Sequence, residues 1–193
     1  KGQGQNMIYR NDPAELPVVD APSYWDSSEK DYRKVQNLIR GLTPRITAGD
    51  EDDVTAGTLN SQPACGVLTD GRVPKKIDYD EKKWFKFARG QSREVIFDLR
   101  HTSTVTGFRV VLMHKAEGGV YYPSEFTVAL SEDGKNWEKV FVNKQFYARD
   151  PDEILDYKKD FGEKLAARFV RFSFEMDVWV FIGQLEAVSY THL

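Results

Sequence analysis

From about Asn37 onward the chain is a series of short runs in which apolar and polar residues alternate, cut by turn-forming residues. That pattern constrains the fold more than any other feature. A period of two places one side of each run against a core and the other toward solvent, as half-buried strands require. In Arg93–Leu99, Val95, Phe97 and Leu99 share one face while Glu94 and Asp98 share the other. Gly107–Met113 aligns Phe108, Val110 and Leu112, and Glu125–Ser131 aligns Phe126, Val128 and Leu130. The run Ser131-Glu132-Asp133-Gly134-Lys135 follows, with Asp-Gly supplying the positive φ of a tight hairpin, and Trp137–Val142 is the return strand. Residues 143–166 carry charge and few periodic apolar positions, and read as a long loop with one strand. Arg168–Phe174 aligns Val170, Phe172 and Phe174, and Val178–Val188 closes the series. If Val178, Val180 and Ile182 face the core, Trp179 and Phe181 face outward. Strands at short spacing, with no convincing amphipathic helix after Gly41, predict an all-β antiparallel sandwich.

A chain of 193 residues suits one domain with an added arm. Residues 1–30 are polar, hold Pro13, Pro17 and Pro22, and read as an extended N-terminal arm or linker. The spacing allows a short helix near Ser28–Gln36, and the sandwich is expected over 31–193. The chain begins at Lys1 and reads as a piece of a longer precursor. A formal net charge of −3 argues against nucleic acid, whose phosphates select a basic face. Cys65 is the single cysteine, so neither an intrachain disulfide nor a multi-thiol zinc site is available. No apolar run approaches the ~20 residues of a membrane span. The acidic run Asp50–Asp53 lacks the alternating ligand spacing of an EF-hand and reads as a solvated loop.

Two segments have the chemistry to hold a sugar, whose flat C–H faces stack on aromatic rings while its hydroxyls bond to polar side chains. In Trp84–Arg89 the candidates are Trp84, Lys86 and Arg89. In His114–Tyr122 they are His114, Tyr121 and Tyr122, next to the Gly118-Gly119 pair. Trp84 and Phe87 equally suit a core, and strand alternation turns one of Tyr121 and Tyr122 inward. Trp84, Phe85 and the nearby lysines are the only candidates for a membrane-lipid contact, a weaker reading. His101, His114 and His192 form no HExxH pattern, and neither a Gly-x-Ser-x-Gly elbow nor a phosphate loop is present. The chain is therefore not expected to be an enzyme.

Several segments recur in an order that resembles a known family. They are Asn37-Leu38-Ile39-Arg40-Gly41, Leu68-Thr69-Asp70-Gly71, Trp84-Phe85-Lys86-Phe87, Arg93–Leu99 and Val105-Thr106-Gly107-Phe108-Arg109. After these come Tyr122-Pro123-Ser124-Glu125-Phe126, Ser131–Trp137, Ala167–Arg171 and Leu185-Glu186-Ala187-Val188. Over residues 37–190 the series resembles the discoidin-like, coagulation-factor C-type (F5/8 type C) domains, which include the family 32 carbohydrate-binding modules of large secreted bacterial proteins. The resemblance implies an eight-stranded jelly-roll sandwich of the galactose-binding-domain-like kind, binding ligands through loops at one end. It also implies a structural calcium ion, held here by Asp70 and Glu186. The implied function is a non-catalytic carbohydrate-binding module that anchors a larger, multidomain, extracellular or cell-surface protein to a polysaccharide or glycan. The alternative is a structural or protein-interaction spacer.

Overall fold

Each strand with one apolar face must bury it against another, and two long strands meet this demand by serving both layers of a sandwich. The computed structural model describes residues 34–48, 65–79, 81–88 and 92–191. Among them eight strands follow in order: β1 (Lys34–Asn37), β2 (Arg45–Ala48), β3 (Phe85–Ala88), β4 (Ser92–Lys115), β5 (Glu125–Ser131), β6 (Glu138–Asn143), β7 (Asp152–Glu175) and β8 (Trp179–Thr191). All pairings between them are antiparallel. The first part of β4 pairs with β2 and with Phe169–Glu175 of β7, which pairs in turn with β5, and β5 with β6. The second part of β4 pairs with Asp152–Asp160 of β7 and with β8, whose ends carry β1 and β3. Register shifts between Asp98 and Ser103, and between Val105 and Gly107, mark the corner where β4 passes from one layer to the other. Bulges bend and twist a strand, which is what such a crossing needs.

The aligned apolar positions fill the space between the layers. Val95, Phe97, Phe108, Val110, Leu112, Phe126, Val128, Val170, Phe172 and Phe174 belong to one buried cluster. Phe108 lies at its centre, with ring centroids 4.8 Å from Phe141, 6.0 Å from Phe126 and 6.3 Å from Phe172. Burying one such side chain contributes ~1.5–3 kcal/mol. The hairpin turn takes the form its sequence dictates: Gly134 has φ 77°, a value that costs a Cβ-bearing residue energy. Asp133 Oδ1 accepts the N–H groups of Lys135 and Asn136, each at 2.8 Å.

A smaller cluster covers the outward face of β4 and β8. Trp84, Val111, Met113, Val120 and Phe181 are buried there, with Val73, Ile77, Ile154 and Trp179 against them. The segment that carries Pro74 crosses β8 at Gly183, where a Cβ would meet Pro74 Cγ at 2.3 Å.

The structure differs from the sequence expectations in three places. Lys34–Asn37 is a strand, paired with Val188–Thr191, and not the end of a helix; residues 28–33 and the arm 1–30 lie outside the described residues. Most of the supposed loop 143–166 is the first part of β7, because Leu155 and Tyr157 turn inward while the charged Asp156 and Lys158 are buried on the outward face. Val178 is exposed and precedes β8, whereas Val180 and Ile182 enter the core as expected.

Candidate ligand face

The exposed rings gather at one end of the sandwich, where β4, β6 and the second part of β7 finish and β5, the first part of β7 and β8 begin. The β4–β5 connection is a tight excursion tied on both sides. Lys115 N–H donates to Val120 O at 2.9 Å and Val120 N–H to Lys115 O at 3.1 Å. Tyr121 N–H donates to Trp179 O at 3.1 Å, and Trp179 N–H to Gly119 O at 3.2 Å. Backbone bonds to two strands hold Tyr121 outward, so its ring needs little ordering on binding. Gly118 permits the next contact. A Cβ there would lie 1.5 Å from Tyr79 Oη, so only glycine lets the Tyr79 phenol rest on the loop. Tyr79 is 36% exposed, Tyr121 40%, Val178 40% and Tyr147, in the β6–β7 loop, 56%, so four of the five large exposed hydrophobic side chains among the described residues belong to this end.

Polar groups surround the rings. The His114 ring lies 5.7 Å from that of Tyr121 and 5.2 Å from that of Tyr122, and its Nδ1 is 2.7 Å from Pro151 O. A carbonyl can only accept, so Nδ1 carries the proton and Nε2 is the acceptor of the neutral ring. Tyr122 donates its hydroxyl to Glu153, whose other carboxylate oxygen accepts Arg149 N–H at 3.2 Å. The Lys115 ammonium lies 3.2 Å from Glu117 and 3.4 Å from Asp152, and Glu117 foremost holds its pKa above the usual lysine range. It also sits 5.5 Å from the Tyr79 ring centroid, a cation–π distance. This end thus presents exposed rings with hydroxyl, imidazole and carboxylate groups near them, the mix that a flat hydroxylated ring requires.

The predicted site residues divide. His114, Tyr121 and Tyr122 come together, with Tyr121 outward and Tyr122 buried beneath it, as alternation required. Trp84 does not join them. It is fully buried, and its indole N–H donates to Lys76 O at 3.0 Å, so it offers no ring face to a ligand. Lys86 lies to one flank, its ammonium 5.8 Å from the Phe181 centroid. Arg89 lies outside the described residues, as does Asp50–Asp53. Tyr79 and Tyr147 were not singled out, since loop residues carry no periodic signal, and Val178 was expected to face the core.

Asp70 and Glu186 each have a protein partner. Asp70 Oδ1 accepts Arg72 N–H at 2.8 Å within its own turn. Glu186, buried, lies 3.2 Å from Arg109 Nη1, while Asp156 takes the Nε and Nη2 of that guanidinium at 2.7 and 2.6 Å. With Lys158 3.8 Å from Asp156, two cations and two carboxylates balance on this face. The β8 residue that reaches the Asp70 turn is Gln184. One amide orientation gives a single 3.4 Å bond to Glu186; the other places nitrogen 3.3 Å from Leu68 O and oxygen 3.3 Å from Gly71 N. We adopt the second, which satisfies both backbone groups. A neutral amide thus bridges the turn, and no group of three or more His, Cys, Asp or Glu side chains suited to a metal occurs among the described residues. Calcium takes six to eight oxygen ligands, backbone carbonyls as well as carboxylates, so Asp70 and Glu186 would supply two of that set.

A jelly-roll sandwich with a ligand-type loop end defines a class of binding domain. The F5/8 type C domain profile matches residues 58–182, and the chain belongs to that family. Among solved structures, the lectin domain of lectinolysin in complex with Lewis B antigen is 19% identical over 79% of this chain and 95% of that chain, with a TM-score of 0.51. A fucolectin from striped bass (Morone saxatilis) serum is 13% identical over 80% of this chain and 49% of that chain, with a TM-score of 0.54. Chitosan-binding module 1 of a chitosanase/glucanase from Paenibacillus sp. IK-5 is 16% identical over 79% and 98%, with a TM-score of 0.49. The first two share the fold of this chain. No curated protein matches the sequence.

Proposed function

We propose that the chain is a non-catalytic glycan-binding module whose ligand rests on the end bearing Tyr79, Tyr121 and Tyr147. The carrying observation is that these three rings are all exposed at one end of the sandwich, Tyr121 beside His114 and Tyr79 beside Lys115 with its Glu117 partner. The relatives support the class of ligand: the lectinolysin domain is complexed with Lewis B antigen, and the striped bass protein is a fucolectin. In this reading the module works outside the cell and anchors a larger multidomain protein to a polysaccharide or glycan. No helix among the described residues is long and apolar enough to cross a membrane. The spacer alternative would gain from a covered aromatic end. Phe181 is indeed covered, with Tyr79 6.1 Å from it, and Trp179 is half-covered, yet Tyr121 and Tyr147 stay open.

A shallow site with a few stacking rings predicts a Kd on the order of 10⁻⁴ M for one short glycan, equivalent to ~5 kcal/mol. Avidity across repeated modules would then set the anchoring strength. The test is titration calorimetry with oligosaccharides chosen from a glycan array. Tyr121→Ala is expected to weaken binding at least tenfold while leaving the melting temperature within about 2 °C. Silence across neutral, acidic and basic glycans, or full binding by Tyr121→Ala, overturns the proposal.

A further inference from the structure

The opposite end of the sandwich carries a second concavity, of about 370 Å³, between the start of β2 and the β5–β6 turn. That volume falls in the ~300–1,000 Å³ range of small-ligand pockets. Trp137 and Phe169, both half-buried, line it with Ile96 as part of its apolar surface, and Thr43, Arg45 and Lys135 are exposed at its margin. Both rings have a guanidinium beside them. The Arg171 guanidinium lies 4.5 Å from the Trp137 centroid and the Arg168 guanidinium 5.0 Å from that of Phe169. They are therefore pre-ordered by cation–π contacts, as a stacking platform should be.

The charges around this concavity do not cancel evenly. Its two carboxylates are engaged inside the protein. Arg168 grips Asp98 through two bonds of 2.9 and 3.0 Å, and Asp98 also accepts Arg100 N–H at 2.7 Å. Asp133 accepts the Ser131 hydroxyl, the Asn136 amide and two turn N–H groups. Those donors hold both acids below the usual carboxylate range. Arg45 and Lys135, by contrast, make no ion pair among the described residues. On the other side of Trp137 lies a cleft of about 620 Å³ bordered by Glu132 and Glu138, where an anion would be repelled.

We propose that the concavity between Arg45 and Lys135 is a second ligand site, taking an anion-bearing saccharide whose ring lies on Trp137 and Phe169. Its carboxylate or sulfate bridges the guanidinium of Arg45 and the ammonium of Lys135, and Thr43 meets a hydroxyl. Because this site and the tyrosine end lie at opposite ends of the sandwich, one module can join two glycan chains.

The test follows the Trp137 indole N–H in ¹H–¹⁵N spectra of the full chain, assigned with Trp137→Phe. Three probes are titrated: tetragalacturonate for the carboxylate, a sulfated galactan oligomer for the sulfate ester, and cellotetraose as the neutral control. Either acidic probe, or both, is expected to shift the Trp137 signal in saturable fashion, and to lose at least fivefold in affinity between 50 and 300 mM NaCl. The double variant Arg45→Ala/Lys135→Ala, altered only at exposed positions, is expected to lose at least tenfold for the acidic probe. Tyr121→Ala is expected to change nothing here, which separates this site from the tyrosine end. The proposal is overturned if neither acidic probe moves the Trp137 signal, if cellotetraose matches them, or if the double variant binds like the wild type.

Discussion

Replacing Gln184 tests whether an amide, and not a metal ion, ties the Asp70 turn to β8. Gln184, Leu68 and Gly71 are all buried, and the amide spans the Leu68 carbonyl and the Gly71 N–H at 3.3 Å each. Gln184→Ala would leave a buried acceptor and a buried donor without that partner. At ~1–3 kcal/mol for each unsatisfied group, partly relieved by relaxation, the cost is about 2–4 kcal/mol. For a domain of this size 1 kcal/mol moves Tm by roughly 2–4 °C, so a drop of roughly 4–16 °C is expected. Gln184→Glu keeps the shape but sets a carboxylate oxygen against the Leu68 oxygen. Burial and this contact raise the folded-state pKa of the new carboxyl above its unfolded value of about 4.3. The variant is therefore at full strength only below about pH 4, where the acid can donate to Leu68, and loses stability as pH rises through the raised pKa. The assay is thermal melting of wild type and both variants at pH 4 and 7, with 5 mM EDTA or 5 mM calcium. Wild-type Tm is expected to be the same in EDTA and calcium. A wild-type Tm several degrees lower in EDTA, or a Gln184→Ala variant as stable as wild type, refutes the reasoning.

Gly118→Ala is expected to displace Tyr79, since the new methyl would overlap its hydroxyl; glycan affinity should fall several-fold in calorimetry while circular dichroism stays native. Arg109→Met removes the guanidinium that the buried carboxylates of Asp156 and Glu186 share and should cost about 3–5 kcal/mol in urea unfolding at pH 7. Asp98→Asn removes a partly exposed bidentate pair, so its cost at pH 7 should be only ~0.5–1 kcal/mol. Because Arg168 depresses the Asp98 pKa, that stability is complete above the ordinary carboxylate range and disappears as pH falls through the depressed value. Wild type and variant should therefore converge in unfolding free energy in strong acid.

The architecture was legible wherever one face of a strand is buried and the other solvated. Val95, Phe97 and Leu99 all enter the core, as do Phe108, Val110 and Leu112. Alternation fails where both faces are covered. The Asp156 and Lys158 side chains, charged yet 9% and 0% exposed, make β7 look like a loop in sequence because its outward face holds a buried charge network. The extended N-terminal reach of the fold followed the same logic in reverse: Lys34–Asn37 has too few residues to show a period, and only its pairing with β8 makes it a strand.

The candidate site was legible only in part, for a reason that follows from how it is built. His114 continues the period of Phe108, Val110 and Leu112 to the end of β4, and Tyr121 alternates with the buried Tyr122 just past the Lys115–Val120 bridge. Tyr79 reaches the same surface from a segment more than thirty residues earlier in the sequence, through a space left by a missing side chain at Gly118. Nothing local to Tyr79 encodes that meeting. The same limit applies along β8. Residues 184 and 186 lie on one side of β8, paired across it with Val111 and Arg109. Both offer oxygen, and sequence order alone cannot say which faces the Asp70 turn. The cation on the neighbouring strand decides: Arg109 claims the carboxylate, and the uncharged amide is left to bridge Leu68 and Gly71. A register-dependent choice between two polar residues is therefore where sequence reading ends and pairing geometry takes over.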